Sequence, residues 1–139
     1  MDAAANAIIR RNSSTRKLSV FATIPPINNP SGAPAQVQAV PTGIVFDGHK
    51  FLVCTFTGFP YPAQKATIYQ VDLSGNTAVY QTGLSTLTDI ELGLDQRPVV
   101  LEYGTWTVKH LYPTREELCD LHQGIILLGE SRKLYFRLN

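Results

Sequence analysis

Residues 66–82 read ATIYQVDLSGNTAVYQT: two apolar, β-prone runs, Ala66 to Val71 and Thr77 to Tyr80, around the turn-forming Asp72 to Asn76. Alternation with a period of two around such a turn predicts a β-hairpin. The same 17 positions can be laid without gaps over Ala7 to Thr23 (AIIRRNSSTRKLSVFAT) at an offset of 59. Ala7 then meets Ala66, Ile9 meets Ile68, Val20 meets Val79, Phe21 meets Tyr80 and Thr23 meets Thr82. A second hairpin type recurs between these copies. Thr42 to Phe46 meets Thr88 to Leu92 at an offset of 46, and Leu52-Val53 meets Val99-Val100 at 47. Two alternating hairpin types at this spacing match the four-stranded blades of a β-propeller, whose periods run at roughly 40 to 50 residues.

The rest of the chain extends this pattern. Asp47-Gly48 between Thr42–Phe46 and Phe51–Phe56 is a strong hairpin signal, because glycine accepts positive φ without steric cost. Leu87–Leu92 and Val99–Tyr103 predict a further hairpin, and Ile125–Leu128 with Lys133–Phe136 a last one around Gly129-Glu130-Ser131. Ile24 to Pro41 holds Pro25, Pro26, Pro30, Pro34 and Pro41 with Gly32, and is expected to be a long loop. Thr114-Arg115-Glu116-Glu117 fits a capping box. Leu111, Leu118, Leu121 and Ile125 follow at helical spacing, so one short C-terminal helix stopping near Gly124 is predicted. The expected class is all-β: an incomplete β-propeller of four-stranded antiparallel blades over 1–107, and a divergent tail of helix plus hairpin over 108–139.

Composition sets the outer bounds. Of 139 residues only 17% are charged, against roughly 25% in an average soluble domain. With 44% apolar residues, a packed core is expected and disorder is not. Twelve Lys and Arg against eleven Asp and Glu leave a net charge of +1, no footprint for nucleic acid. No stretch is long and apolar enough for a membrane span, and the start of this sequence shows no signal peptide. Cys54 and Cys119 form neither a disulfide framework nor a zinc pattern.

Several segments together resemble the ScyD/ScyE family of β-propeller proteins. They are Ala39-Val40-Pro41-Thr42-Gly43-Ile44-Val45-Phe46, the run Thr55-Phe56-Thr57-Gly58-Phe59-Pro60-Tyr61-Pro62, and Ala66 to Val71. The TGFPYP run at Thr57 to Pro62 is the most specific element. Asp2 to Arg10 is similar to that family's Asp-x-Gly-x-Asn motif and following strand, with Ala4 in place of the usual Gly; Thr82-Gly83-Leu84, Thr88-Asp89-Ile90 and Leu101-Glu102-Tyr103 match as well. The resemblance spans Asp2 to about Thr107. It implies an extracytoplasmic, non-catalytic propeller module, associated in some cyanobacteria with making the pigment scytonemin. About two blades are covered, so the chain is expected to be part of a larger propeller, from a reading frame truncated at its start and altered after about Thr107. Four blades of about 42 residues would already need about 170.

Candidate sites follow from residue chemistry. Phe59 and Tyr61, held between Pro60 and Pro62, present two rings at low entropic cost and suit the binding of a ligand or protein; packing at a seam between blades is the equal alternative. Asp89 and Glu102 fall on two strands of one hairpin, and Glu91 shares the side of Asp89. Carboxylates on inner propeller strands can converge on a cation, so the alternative function is a calcium-dependent hydrolase of the propeller lactonase type, with Asp89 or Glu102 as ligands. No nucleophile motif is present, Cys54 sits in an apolar strand where an inert thiol is expected, and no cofactor is expected in the leading reading. Cys119 with His122 three residues on would share one helix face, without a third ligand. Asn12-Ser13-Ser14 fits the glycosylation pattern. An unclosed set of blades leaves apolar strand edges, including Phe51–Phe56 and Val99–Tyr103, from which self-association is expected.

Overall fold

The computed structural model of the chain describes residues 1–30 and 32–103, and the backbone of 123–127 and 133–136. Every described element is a strand, and all pairing is antiparallel. β1 (Ala7–Arg11) and β2 (Leu18–Thr23) form a two-stranded hairpin. β5 (Pro41–Phe46), β6 (Phe51–Thr55), β7 (Ala66–Val71) and β8 (Thr77–Leu84) follow one another as a four-stranded meander, here the central sheet. β9 (Leu87–Leu92), β10 (Pro98–Glu102), β11 (Gln123–Leu127) and β12 (Lys133–Phe136) form a second four-stranded meander. All five predicted hairpins are therefore present.

Two expectations need correction. The loop from Ile24 to Pro41 contains a small two-stranded sheet, β3 (Ile27–Asn28) with β4 (Gln36–Val37). Its signal is missed because each strand is two residues long, too short for any periodicity, and prolines crowd its flanks. The C-terminal helix is not seen. Its positions up to His122 lie outside the described residues, and Gln123, Gly124 and Ile125, expected to end it, belong to β11. Ile125 has competing signals, helical spacing from Leu121 and an apolar run to Leu128; pairing with Leu101 on β10 decides for the strand.

Burial on both faces explains the central sheet's sequence. In β6, Val53 enters one core with Ile8, Ala22, Ile24, Ile27, Val37, Ala39, Tyr69 and Val71, between the N-terminal segments and the sheet. Leu52 and Cys54 enter the other, with Ala66, Ile68, Leu84, Leu87, Ile90 and Val100, between the central sheet and β9–β10. A strand buried on both sides reads as a continuous apolar run, as Phe51 to Cys54 does. β8 is an edge strand of the central sheet with no further strand paired to it among the described residues, and its Val79 and Tyr80 are exposed. At the opposite edge, β5 lies against β9, and the Thr42 hydroxyl donates to the Leu87 carbonyl at 2.7 Å.

The β7–β8 turn is tied by Asp72, whose carboxylate accepts the Asn76 amide at 2.7 Å and the backbone N–H of Ser74 and Asn76. These bonds, that of the Asn76 side chain foremost, hold the Asp72 carboxyl below its ordinary 3.8. The turn thus keeps this support above that value and loses it as pH falls through the lowered one. Gly75 completes the turn at φ +91°, where a Cβ would run into the Phe21 carbonyl oxygen of β2.

Strand registers recur between the sheets. In β1–β2, Ile8 faces Ala22 and Ile9 faces Val20, so Phe21 bulges; in β7–β8, Ile68 faces Gln81 and Tyr69 faces Val79, so Tyr80 bulges. The spacing is 60 on the first strand and 59 on the second, since the turn of β1–β2 is one residue longer. This corrects the gapless superposition by one position over β1. In β5–β6 the bulged residue is Thr42, and in β9–β10 it is Thr88. Each threonine hydroxyl reaches across its pair: that of Thr42 lies 3.4 Å from the Cys54 carbonyl oxygen while donating to Leu87, and that of Thr88 donates to the Leu101 carbonyl at 3.2 Å. Val40 and Thr86, which precede these bulges by two residues, both have positive φ.

Candidate functional site

The aromatic loop grows directly out of β6. Phe56, Thr57 and Gly58 donate their backbone N–H groups to the carbonyls of Val40, Ala39 and Gln38 at 2.9, 3.0 and 2.8 Å. The chain then turns through Gly58–Tyr61, where the Tyr61 N–H donates to the Gly58 carbonyl at 2.9 Å and the Phe59–Pro60 bond is cis. This frame fixes three rings in sequence. Phe59 meets Tyr61 edge-on at 5.8 Å between centroids, and Tyr61 meets Phe56 edge-on, also at 5.8 Å. Phe56 in turn lies 6.2 Å from Tyr103, beyond β10. Edge-to-face pairs at these separations are attractive, so the loop's rings support one another. Phe59 nevertheless remains 69% exposed, while Tyr61 and Phe56 are half-buried. Thr57, between them, is buried, and its hydroxyl has no hydrogen-bond partner among the described residues.

The structure brings Phe59 and Tyr61 together as one surface, and adds Phe56 and Tyr103 to it. These two were missed as site residues, although extending the match at offset 47 by three positions from Val53 pairs Phe56 with Tyr103. Both also make the same bond: the Tyr103 N–H donates to the Thr86 carbonyl at 3.0 Å, as the Phe56 N–H does to Val40.

Asp89 and Glu102 are not brought together. Asp89 pairs with Leu101 on the exposed face of the β9–β10 hairpin, and its carboxylate turns back to accept the Ile90 N–H at 2.9 Å. Glu91 is exposed on the same side as Asp89, as the period of two predicts. Glu102, next to Leu101, points the opposite way and is 5% exposed. Its carboxylate accepts the Ser85 N–H at 2.6 Å, a charge-assisted bond that holds the β8–β9 connection to β10. Glu102→Gln, which keeps the acceptor, is expected to cost less than about 1 kcal/mol, whereas Glu102→Ala should cost about 1–3 kcal/mol by leaving a buried N–H unsatisfied. Urea unfolding of both variants checks this; equal losses would show that the Ser85 bond contributes nothing.

Cys54 is fully buried. Burial pushes its thiol up, against the opposing Thr42 hydroxyl 3.4 Å from Sγ, so the thiolate a nucleophile needs is disfavoured. Cys119 and His122 lie outside the described residues. Among the described residues no three His, Cys, Asp or Glu side chains group as metal ligands. No described helix is long and apolar enough to cross a membrane. The Asn12 side chain caps its own turn, accepting the N–H groups of Ser14 and Thr15. Comparison with protein-family models and with curated proteins returns no match.

Proposed function

We propose that this chain is a non-catalytic binding module built from β-propeller-type blades, as the ScyD/ScyE resemblance implies, and that it binds through the aromatic loop at Phe59 and Tyr61. Two meanders with the same threonine bulge, and two hairpins with the same bulged aromatic, support the blade reading: β5–β8 and β9–β12 are successive units, and β1–β2 matches the outer half of a unit before them. The observation that carries the binding reading is the Phe59 ring, held in place against Tyr61 yet 69% exposed. A large ring kept in water on an ordered loop is available to cover the flat apolar face of a ligand without further ordering cost.

Titration with indole, a minimal flat aromatic probe, followed by amide NMR shifts, tests this. Saturable shifts confined to residues 56–61 and 103 are expected, and Phe59→Ala should abolish them while leaving the remaining spectrum unchanged. Absence of saturable shifts, or shifts that persist in Phe59→Ala, would remove the aromatic loop as the site. The calcium-dependent hydrolase reading is less well supported, because Asp89 and Glu102 face opposite sides of their sheet.

A further inference from the structure

Among the described residues the stacked sheets end in two unlike faces, and neither takes part in the aromatic loop. At one end is the outer side of the β1–β2 hairpin. Ile8 and Ala22 point inward to the core, so their alternates Ile9, Arg11, Leu18 and Val20 point outward, where Ile9 pairs with Val20 and Arg11 with Leu18. Leu18 is 70% and Val20 60% exposed, both large aliphatic side chains in water. The turn above them adds Arg16 and Lys17, and residues 3–46 contain no Asp or Glu. This end is apolar and basic. At the other end is the outer side of β9–β10. Ile90 and Val100 point inward, leaving Asp89 opposite Leu101 and Glu91 opposite Val99 on the outside. Leu101 is 40% exposed, Val99 is half-buried, and Glu91 is exposed. Asp89 is exposed too, but its carboxylate turns back toward Ile90 and Gly43, so Glu91 is the outward charge. This end is apolar and acidic.

We infer that the apolar, basic β1–β2 face of one copy docks on the apolar, acidic β9–β10 face of a second copy, head to tail. Three features point to a second copy as the occupant. The signs of charge are complementary between the two ends of one molecule, and exposed aliphatic side chains occur on both. The contact is also of a kind already present inside the chain, sheet face on sheet face, where the inner side of β1–β2 covers one face of the central sheet and the inner side of β9–β10 covers the other. Because the two faces differ, the contact is heterologous. It can grow into a chain of copies or close into a ring, and it cannot stop as a symmetric dimer.

Light scattering and sedimentation of the full 139-residue chain test this. The wild type should grow in mass with concentration and fall apart as salt rises. Leu18→Glu closes one end and Leu101→Lys the other, so each variant alone should be monomeric. An equimolar mixture should give a single heterodimer through the two intact ends, an outcome that neither a symmetric contact nor edge-to-edge strand pairing produces. The charge variants Arg11→Glu and Glu91→Lys form an independent arm should either aliphatic variant fail to fold. Each should weaken association about tenfold, and both in one chain should restore it, since like charges facing each other are penalised and the swapped pair is again complementary. A wild type that stays monomeric overturns the proposal, as do a variant that associates like wild type and a mixture that stays monomeric. So does a monomer that uses either face to bind a different protein. Phe59→Ala should leave association unchanged, which separates this contact from the aromatic loop.

Discussion

Gly43→Ala should destabilise the chain by about 2–3 kcal/mol, although a single methyl group is added at a strand position. Glycine in a strand interior ordinarily costs stability, so alanine at an open site would be neutral or favourable. Gly43 is not such a site. A Cβ there would stand 2.9 Å from the Ile90 backbone nitrogen, the Asp89 carboxylate and the Cys54 sulfur. The Asp89 side chain is exposed and can move. The Ile90 nitrogen can move only with β9, which the Thr42–Leu87 hydrogen bond ties to β5. The missing side chain is therefore what lets the edge strands of the two meanders approach. Gly48→Ala is the comparison: φ there is +93° with open space around, so only the left-handed backbone is penalised, by about 1–2 kcal/mol. Urea midpoints for both variants, with Gly43→Ala/Asp89→Ala added, check the account. Full rescue by removing the Asp89 carboxylate would locate the clash there and leave the β9 backbone free to yield.

The hairpins were legible because each is a local object, two runs of alternating apolar residues around a turn that Asp and Gly can make. The pairing of hairpins into meanders was legible only through the recurrence of Thr42 at Thr88 and of Val20 at Val79. Three features were not legible. β3 and β4 are too short to show a period. The single-residue difference between the β1–β2 and β7–β8 turns is hidden because shifting a run such as Ala7-Ile8-Ile9 by one still matches apolar to apolar. Glu102 reads as a solvated strand-end carboxylate in sequence; the period of two puts it on the side of Val100, but its Ser85 partner, 17 residues away, shows only in the fold. For the aromatic loop, two prolines and two rings in six residues marked Phe59 and Tyr61. Their support by Phe56 and Tyr103 depends on contact between residues 47 apart.

Ile68→Ala should cost about 3–4 kcal/mol, a large fraction of the 5–15 kcal/mol that holds a typical domain together. Ile68 is fully buried on the side of the central sheet that faces Leu87, Ile90 and Val100 of the next meander. Truncation removes three methyl or methylene groups and leaves a cavity that two hydrogen-bonded sheets cannot collapse to fill. Val79 sits on the neighbouring strand β8 at 57% exposure, so Val79→Ala should change stability by less than about 0.5 kcal/mol. Ile8→Ala extends the comparison, because Ile8 holds the same bulged register in β1–β2 as Ile68 holds in β7–β8. It is also buried, but in the core on the opposite side of the central sheet, and should likewise cost about 2–3 kcal/mol. The double variant then asks whether the layers unfold together. With no shared contacts, the two losses should add if the stack melts as one unit. If β1–β2 frays first, Ile8→Ala should instead split the urea transition in two. A cost below about 1 kcal/mol for Ile68→Ala alone would mean that the second meander is not docked on the central sheet, since among the described residues nothing else covers that face of β7.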